Sequence, residues 1–255
     1  MGTRVTVCEM PDETPAFERA WRALVDHCRG RETGLVLLPE LPFYPWFGTT
    51  PTFSVETWRA AEGAHRAWID RLQELAPAAV LATAPVTRDG RRLNEGFVWD
   101  EEAGYRTAHH KFYLPNEEGA WEAQWYERGD GSFEAVQVGA AKVGFVICSE
   151  LWAFQRAREY GKAGAHVLVT PRLTTRSSVD KWLAGGLAAA VVSGAYSLSS
   201  NRASETQDYG GRGWVVSPDG EVLASTSPAA PFATVEVDLA LAERAKSSYP
   251  RYVLD

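Results

Sequence analysis

Three chemically capable side chains stand where short apolar runs stop. KVGFVICSELW carries Cys148 where an aliphatic run meets an acid and a tryptophan, LVLLPE places Glu40 directly after four aliphatic residues and a proline, and YRTAHHKFYLP sets Lys111 among aromatic and aliphatic neighbours. A cysteine at a strand-to-helix turn feels the partial positive charge of the helix N-terminus, which lowers a thiol pKa, and backbone N–H groups there can receive an oxyanion. The other reading of Cys148 is a small core residue, as for Cys8 in a strand and Cys28 near a helix end. Glu40 is either a solvated loop acid or a buried carboxylate with a raised pKa, able to act as a base near neutrality. Lys111 is either an edge-strand lysine or a buried ammonium, which needs a partner or a task.

For the three groups to meet, the elements that end in them must open on one rim. Short β-branched runs alternate along the chain with longer amphipathic stretches, the order of an α/β protein. Arg4 to Cys8 reads as a strand, a helix is expected from about Pro15 to Cys28, and Leu35 to Glu40 reads as a buried strand halted by proline. Trp58, Ala61, His65, Trp68, Leu72 and Leu75 recur on one helical face. Ala79 to Pro85, GFVWD, YRTAHHKFYLP, KVGFVIC and AHVLVTPR read as strands, LWAFQRAREYGKAG as a helix ended by glycine, and another helix is expected from about Val179. Pro218-Asp219-Gly220 between two strand-like runs predicts a hairpin, and TVEVDLA reads as the closing strand. Strands this apolar are covered on both faces, so sheets packed together with helices outside are expected, in one domain over residues 1–255.

The order LLPE, HHKFYLP, VICSELW resembles the carbon–nitrogen hydrolase (nitrilase) superfamily, and the likeness extends over nearly the whole chain: RVTVCEM resembles its first strand, SNRAS its asparagine-arginine segment and SPDGEVLAS its late hairpin. The resemblance implies an α-β-β-α sandwich in which Glu40 is the base, Lys111 the cationic stabiliser and Cys148 the nucleophile. It also implies a second glutamate soon after the lysine. LPNEEGAWE offers Glu117 and Glu118, and the Glu-Gly-x-Trp setting favours Glu118, which would orient Lys111 or bind the substrate amide. Ser149-Glu150 departs from the Cys-Trp-Glu of true nitrilases, which weakens a nitrile-substrate reading. The backbone N–H of Ser149 is expected to help hold an oxyanion and Glu150 to shape the pocket mouth. Tyr44 and Trp46 of PFYPWFG, with Trp121, Trp125 and Tyr126 of AWEAQWYERG, are expected either as pocket wall or as core. A substrate with an apolar portion follows if they line the site. The expected activity is thiol-dependent hydrolysis of a small linear amide or N-carbamoyl compound through a thioester. The alternatives are a nitrilase using the same triad, an inactive binding scaffold, and a redox cysteine, for which residues 130 to 165 offer no resolving partner.

Composition removes other classes. A formal charge of −7 argues against wide phosphate-backbone binding, so nucleic acid is not an expected partner. Three cysteines without CxxC spacing suggest neither a disulfide framework nor a zinc ribbon, and a reducing, cytoplasmic setting fits. The His109-His110 pair does not make a metal site, because adjacent strand residues face opposite sides. Neither metal nor organic cofactor is required by the expected chemistry. MGTRVTVCEM lacks the features of a signal peptide, and LAGGLAAAVVSGAYSL is shorter than a membrane span, so no membrane association is expected. The resemblance implies a homodimer or higher homo-oligomer through helices beside the cysteine segment and the C-terminal tail. The shortness of SSYPRYVLD argues against long helical assemblies.

Overall fold

A computed structural model describes residues 2–204 and 206–253; Leu254 and Asp255, the end of the SSYPRYVLD tail, lie outside the described residues. The chain runs β1 (Gly2–Met10), α1 (Thr14–Arg31), β2 (Leu35–Leu37), α2 (Val55–Ile69), β3 (Ala79–Arg88), β4 (Arg91–Asp100), β5 (Gly104–His110), α3 (Glu122–Trp125), β6 (Val136–Val138), β7 (Ala141–Phe145), α4 (Phe154–Lys162), β8 (Val167–Arg172), α5 (Val179–Ser193), β9 (Tyr196–Arg202), β10 (Trp214–Val216), β11 (Val222–Ser225), β12 (Phe232–Asp238) and α6 (Leu239–Ala245).

The strands form two layers joined through β1. One layer has the order β5-β4-β3-β2-β1, with β12 antiparallel on β1; the other has β6-β7-β8-β9, followed by β10 and β11. Early β1 pairs with β2 at Val5 to Val7, and its end crosses to β9, where Glu9 and Met10 pair with Asn201 and Arg202.

Period-two alternation assigns each apolar residue to a layer. On β2, Leu35 and Leu37 point inward to an intersheet core shared with Leu81, Val143, Phe145, Val169 and Leu198. Val36 and Leu38 point outward against Phe17, Trp21 and Leu24 of α1. On the far side Leu168 and Trp214 pack against Ala157 and Tyr160 of α4 and Ala189 and Ala190 of α5. The result is the α-β-β-α sandwich that the apolar strands require. Gly96 lets the layers close opposite β7, since a Cβ there would lie 2.8 Å from the Phe145 ring.

Strand direction brings the chemistry to one rim. β1, β2 and β3 are mutually parallel, as are β7, β8 and β9. β5 is antiparallel to β4, which is antiparallel to β3, so β5 runs with β3. The segments carrying Glu40, Lys111 and Cys148 therefore leave the sheets at the same end.

Several expected boundaries differ. The helix carrying Trp58 to Trp68 ends at Ile69, and Leu72 and Leu75 lie in a separate 3₁₀ turn over Leu72–Leu75. The strand of LVLLPE stops at Leu37, although Leu38 N still donates to Leu81 O at 2.9 Å. Lys111 lies just beyond β5, so KFYLP is loop. LWAFQRAREYGKAG is not one helix: a tight 3₁₀ turn over Cys148–Trp152 is separated from α4 by Ala153, whose φ of −85° and ψ of 68° are not helical. No helix among the described residues is long and apolar enough to cross a membrane.

Candidate active site

Glu40 is held by its backbone before its side chain does anything. Its N–H donates to Arg172 O at 3.2 Å, and Leu41, with φ of 45°, turns the chain sharply and donates to Thr83 Oγ1 at 2.6 Å. The buried Arg202 guanidinium donates to Glu40 O at 3.3 Å, Tyr44 O at 2.8 Å and Leu41 O, cinching the turn. Its neighbour Asn201 secures the loop after β8, accepting from Thr174 N at 3.0 Å and donating to Gly211 O at 2.8 Å. The asparagine-arginine segment thus holds two loops of the rim.

The carboxylate of Glu40 then accepts at Oε1 from Lys111 Nζ at 2.7 Å and from Asn94 Nδ2 at 2.9 Å. Asn94 also fixes the lysine, since its carbonyl accepts from Lys111 N at 2.9 Å. A second carboxylate grips the ammonium from the other side: Glu122 of α3 places Oε1 at 2.9 Å and Oε2 at 2.7 Å from Nζ. Lys111 is fully buried, and Glu40, Glu122 and Tyr126 nearly so. Burial opposes the lysine's charge, but the Glu122 and Glu40 carboxylates outweigh it and push its pKa above the usual lysine range. Burial and the charge of Glu40 raise Glu122 to about 7 against the pull of Lys111.

Cys148 opens the tight turn after β7 with φ of 47°, a left-handed conformation that costs a non-glycine residue about 1–3 kcal/mol and that clusters at working sites. Its Sγ lies 4.0 Å from Leu173 O. Burial, followed by the charge of Glu40, pushes the thiol pKa above its ordinary value, with Lys111 pulling the other way and Glu122 adding to the rise. The three charged groups therefore act on one sulfur. The resting site favours a neutral thiol beside a clamped ammonium, which calls for a base at the moment of attack.

Glu40, Lys111 and Cys148 are brought together as the sequence suggests, but Glu118 is not with them. It is exposed in the tight turn bridged between Glu117 and Ala120. Glu122, four residues on, occupies the place expected for Glu118, because α3 turns it inward beside Trp125 while the turn leaves Glu118 in water. The available signal was the apolar flank AWEAQW around Glu122, which a solvated acid would not need. Tyr126 of the same segment is buried in the aromatic cluster beside Glu122, and Asn94, inside a strand, has no signal in the sequence.

Glu150 does not shape a pocket mouth. It is fully buried, accepting from Phe112 N at 2.7 Å and Ile147 N at 2.8 Å, with His109 Nε2 2.9 Å from Oε2. Ser149 Oγ donates to Tyr113 O at 2.6 Å. Tyr44, Trp46 and Trp121 are half-buried and pack around Leu41, Phe47, Trp58, Trp125 and Tyr126. Trp46 Nε1 donates to Gly119 O at 3.1 Å and Trp121 N to Gly48 O at 2.9 Å, so this aromatic cluster zips the loop after Glu40 to the loop after Lys111. His109 and His110 do face opposite sides, one toward Glu150 and the other toward Glu95.

This arrangement, a cysteine turn at a strand end with a lysine held between two buried glutamates, sits in a four-layer sandwich that solved proteins share. A carbon–nitrogen hydrolase from Helicobacter pylori G27 superposes with a TM-score of 0.88 at 19% identity, covering 99% of this chain and 95% of that one. An amidase from Nesterenkonia sp. superposes at 0.74 with 17% identity over 99% and 94% of the two chains. In sequence, the chain is 28% identical over 173 residues to "Nitrilase homolog 2" of Dictyostelium discoideum, a match covering 64% of this chain and about half (52%) of that relative. The sequence profile of the family described as carbon-nitrogen hydrolase matches residues 4–247. The chain belongs to the carbon–nitrogen hydrolase family.

Proposed function

We propose that this hydrolase cleaves the C–N bond of a small linear amide or N-carbamoyl compound through a thioester at Cys148. The observation that carries this reading is the Lys111 ammonium, clamped at 2.7 Å by Glu40 and by Glu122 beside the cysteine. Glu40 takes the thiol proton as sulfur adds to the amide carbon, which suits a thiol whose own pKa is raised. Lys111 and the Ser149 N–H receive the developing oxyanion, a contribution of about 10²–10³ in rate per donor. Glu40 returns the proton to the departing nitrogen, and ammonia leaves. Water, deprotonated by Glu40, then attacks the thioester, and the acid is released with the thiol restored. From an N-carbamoyl substrate that acid is a carbamic acid, which loses carbon dioxide to give the amine. Glu122, poised between charged and neutral forms, accepts a hydrogen bond from the substrate amide.

The same thiolate can add to a nitrile, and the name of the Dictyostelium relative keeps that reading in view. A panel of amides, nitriles, N-carbamoyl amino acids and carbamoyl amines, scored for ammonia and for product identity, separates the two. Carboxylate from amides alone supports the amidase reading; turnover of nitriles alone replaces it.

A further inference from the structure

We infer that His109 and Glu150 form a proton-holding buttress that fixes the distance between the Lys111 segment and the Cys148 turn. The functional half of this inference rests on the thiol-hydrolase reading; the proton count does not.

Lys111 and Cys148 arrive from different sheets, one after β5 and the other after β7. A single carboxylate spans the gap. Glu150 Oε1 takes the N–H of Phe112, the residue after the lysine, and Oε2 takes the N–H of Ile147, the residue before the cysteine. The bond to Ile147 is local, three residues back; the bond to Phe112 reaches 38 residues along the chain.

His109 completes the unit. Its Nδ1 lies 3.1 Å from Ser132 O and its Nε2 2.9 Å from Glu150 Oε2. A carbonyl oxygen only accepts, so Nδ1 carries a proton. A second proton must then lie between Nε2 and the carboxylate, or a lone pair would face an anion. Both oxygens of Glu150 already accept from backbone N–H groups, Oε1 from Phe112 and Oε2 from Ile147, so the donor in the contact with Oε2 is the ring nitrogen. The unit is an imidazolium–carboxylate pair, neutral as a whole. His109 is 4% exposed and Glu150 0%, and the Phe133 ring lies 4.7 Å from the imidazole with the Arg156 guanidinium on it. Charge on either partner alone would be stranded.

Glutamine at position 150 keeps the shape but offers one oxygen, so in either orientation the Phe112 or the Ile147 N–H faces an amide NH₂. Glu150→Gln should lower kcat about 10- to 100-fold with KM held within about threefold, the cost of misplacing reacting groups by less than an ångström or so. Cys148 reactivity needs no substrate: iodoacetamide alkylation at pH 8 should slow about tenfold as the ammonium draws away from the sulfur. Mere loosening would expose the thiol and speed alkylation, so an unchanged or faster rate in folded Glu150→Gln overturns the buttress. Slower alkylation in a protein that hydrolyses none of the panel supports the buttress and removes the hydrolase reading instead. If Glu150→Gln fails to fold, ¹⁵N NMR of the wild-type histidines decides, with the His109 signals assigned by their loss in His109→Gln. Protons on both ring nitrogens at neutral pH are expected, and a single protonated nitrogen refutes the pair.

Discussion

Asn94 and Glu95 are neighbours on β4 that serve two buried acid clusters on opposite faces of one sheet. On the outer face Glu95 is saturated: Arg88 donates to both oxygens at 2.6 and 2.7 Å, His110 Nε2 lies 2.8 Å away, Thr107 donates at 3.1 Å, and the Tyr105 hydroxyl donates as well. On the inner face Asn94 serves Glu40, and two glutamates share one lysine, with the buried Tyr126 hydroxyl beside Glu122. Burial works against both acids. Partners overcome it at Glu95, driving it down to about 2, and fail to at Glu122, which stays up near 7. A carboxylate with every lone pair taken is an element of structure. One left short of donors, in a pocket short of charge compensation, is held ready for a group that arrives later.

The sharpest break in the comparison comes from the inner cluster. Cys148→Ala should abolish turnover, a loss of at least about 10⁴-fold, with the circular dichroism spectrum and unfolding midpoint close to wild type. The change removes one sulfur from a strained turn and leaves the glutamates and lysine paired. Residual ammonia release at the wild-type rate would detach the inner cluster from chemistry altogether.

Next in size is Glu122→Gln, for which kcat/KM should fall about 10²–10³-fold. Because Glu122 titrates at about 7 and is proposed to accept the substrate N–H as a carboxylate, wild-type kcat/KM should decline as pH falls through that value. The variant should lose that acidic limb. A pH–rate profile of both proteins checks it; an identical limb in the variant assigns the titration to another group.

The two clusters differ also in how far they can be read from sequence. Alternating apolar residues in LVLLPE and AHVLVTPR carry the layer assignment directly, because period two sends successive side chains to opposite cores. Glu40 and Cys148 are legible for the same reason: each is the first polar or nucleophilic group beyond a strand of the parallel array. Pro218-Asp219-Gly220 is local turn chemistry, and the hairpin between β10 and β11 follows from it. Glu122 is marked in the sequence by its apolar flank alone, because its place depends on two loops folding onto each other, through Trp121 N to Gly48 O and Trp125 Nε1 to Thr50 O at 2.7 Å. Glu150 was hidden, since its partners His109 and Phe112 come from another sheet. The break at Ala153 has no proline or glycine to announce it.

The outer cluster predicts acid behaviour rather than activity. Glu95 has a folded pKa of about 2 against an ordinary value of 4.5, so its contribution is complete above about pH 4.5 and is lost as pH falls through about 2. The shift corresponds to about 2–3 kcal/mol, trimmed because its main cation, Arg88, is half exposed. Urea unfolding of Glu95→Gln should therefore show a deficit of that size at pH 6, most of it gone by pH 2.5. At pH 7.5 kcat should stay within about threefold. A pH-independent deficit would mean that the loss is one of packing and hydrogen bonding, with the charge of Glu95 immaterial.

The smallest effect tests the placement of the second glutamate. Glu118 and Glu122 are four residues apart and equal in side chain, but they differ in surroundings: one is exposed in the turn before Ala120, the other opens α3 and is buried against Lys111. An exposed acid interacts with distant charges through water, where a unit charge is largely screened within about 8–10 Å at physiological salt. Glu118→Gln should leave kcat/KM within about twofold and stability within about 0.5 kcal/mol, as for other surface substitutions. Measured beside Glu122→Gln on the same substrate, the pair isolates burial as the variable. If Glu118→Gln were the more damaging of the two, the loop in solution would have to present Glu118 to the lysine, and the inner cluster would be rebuilt around it.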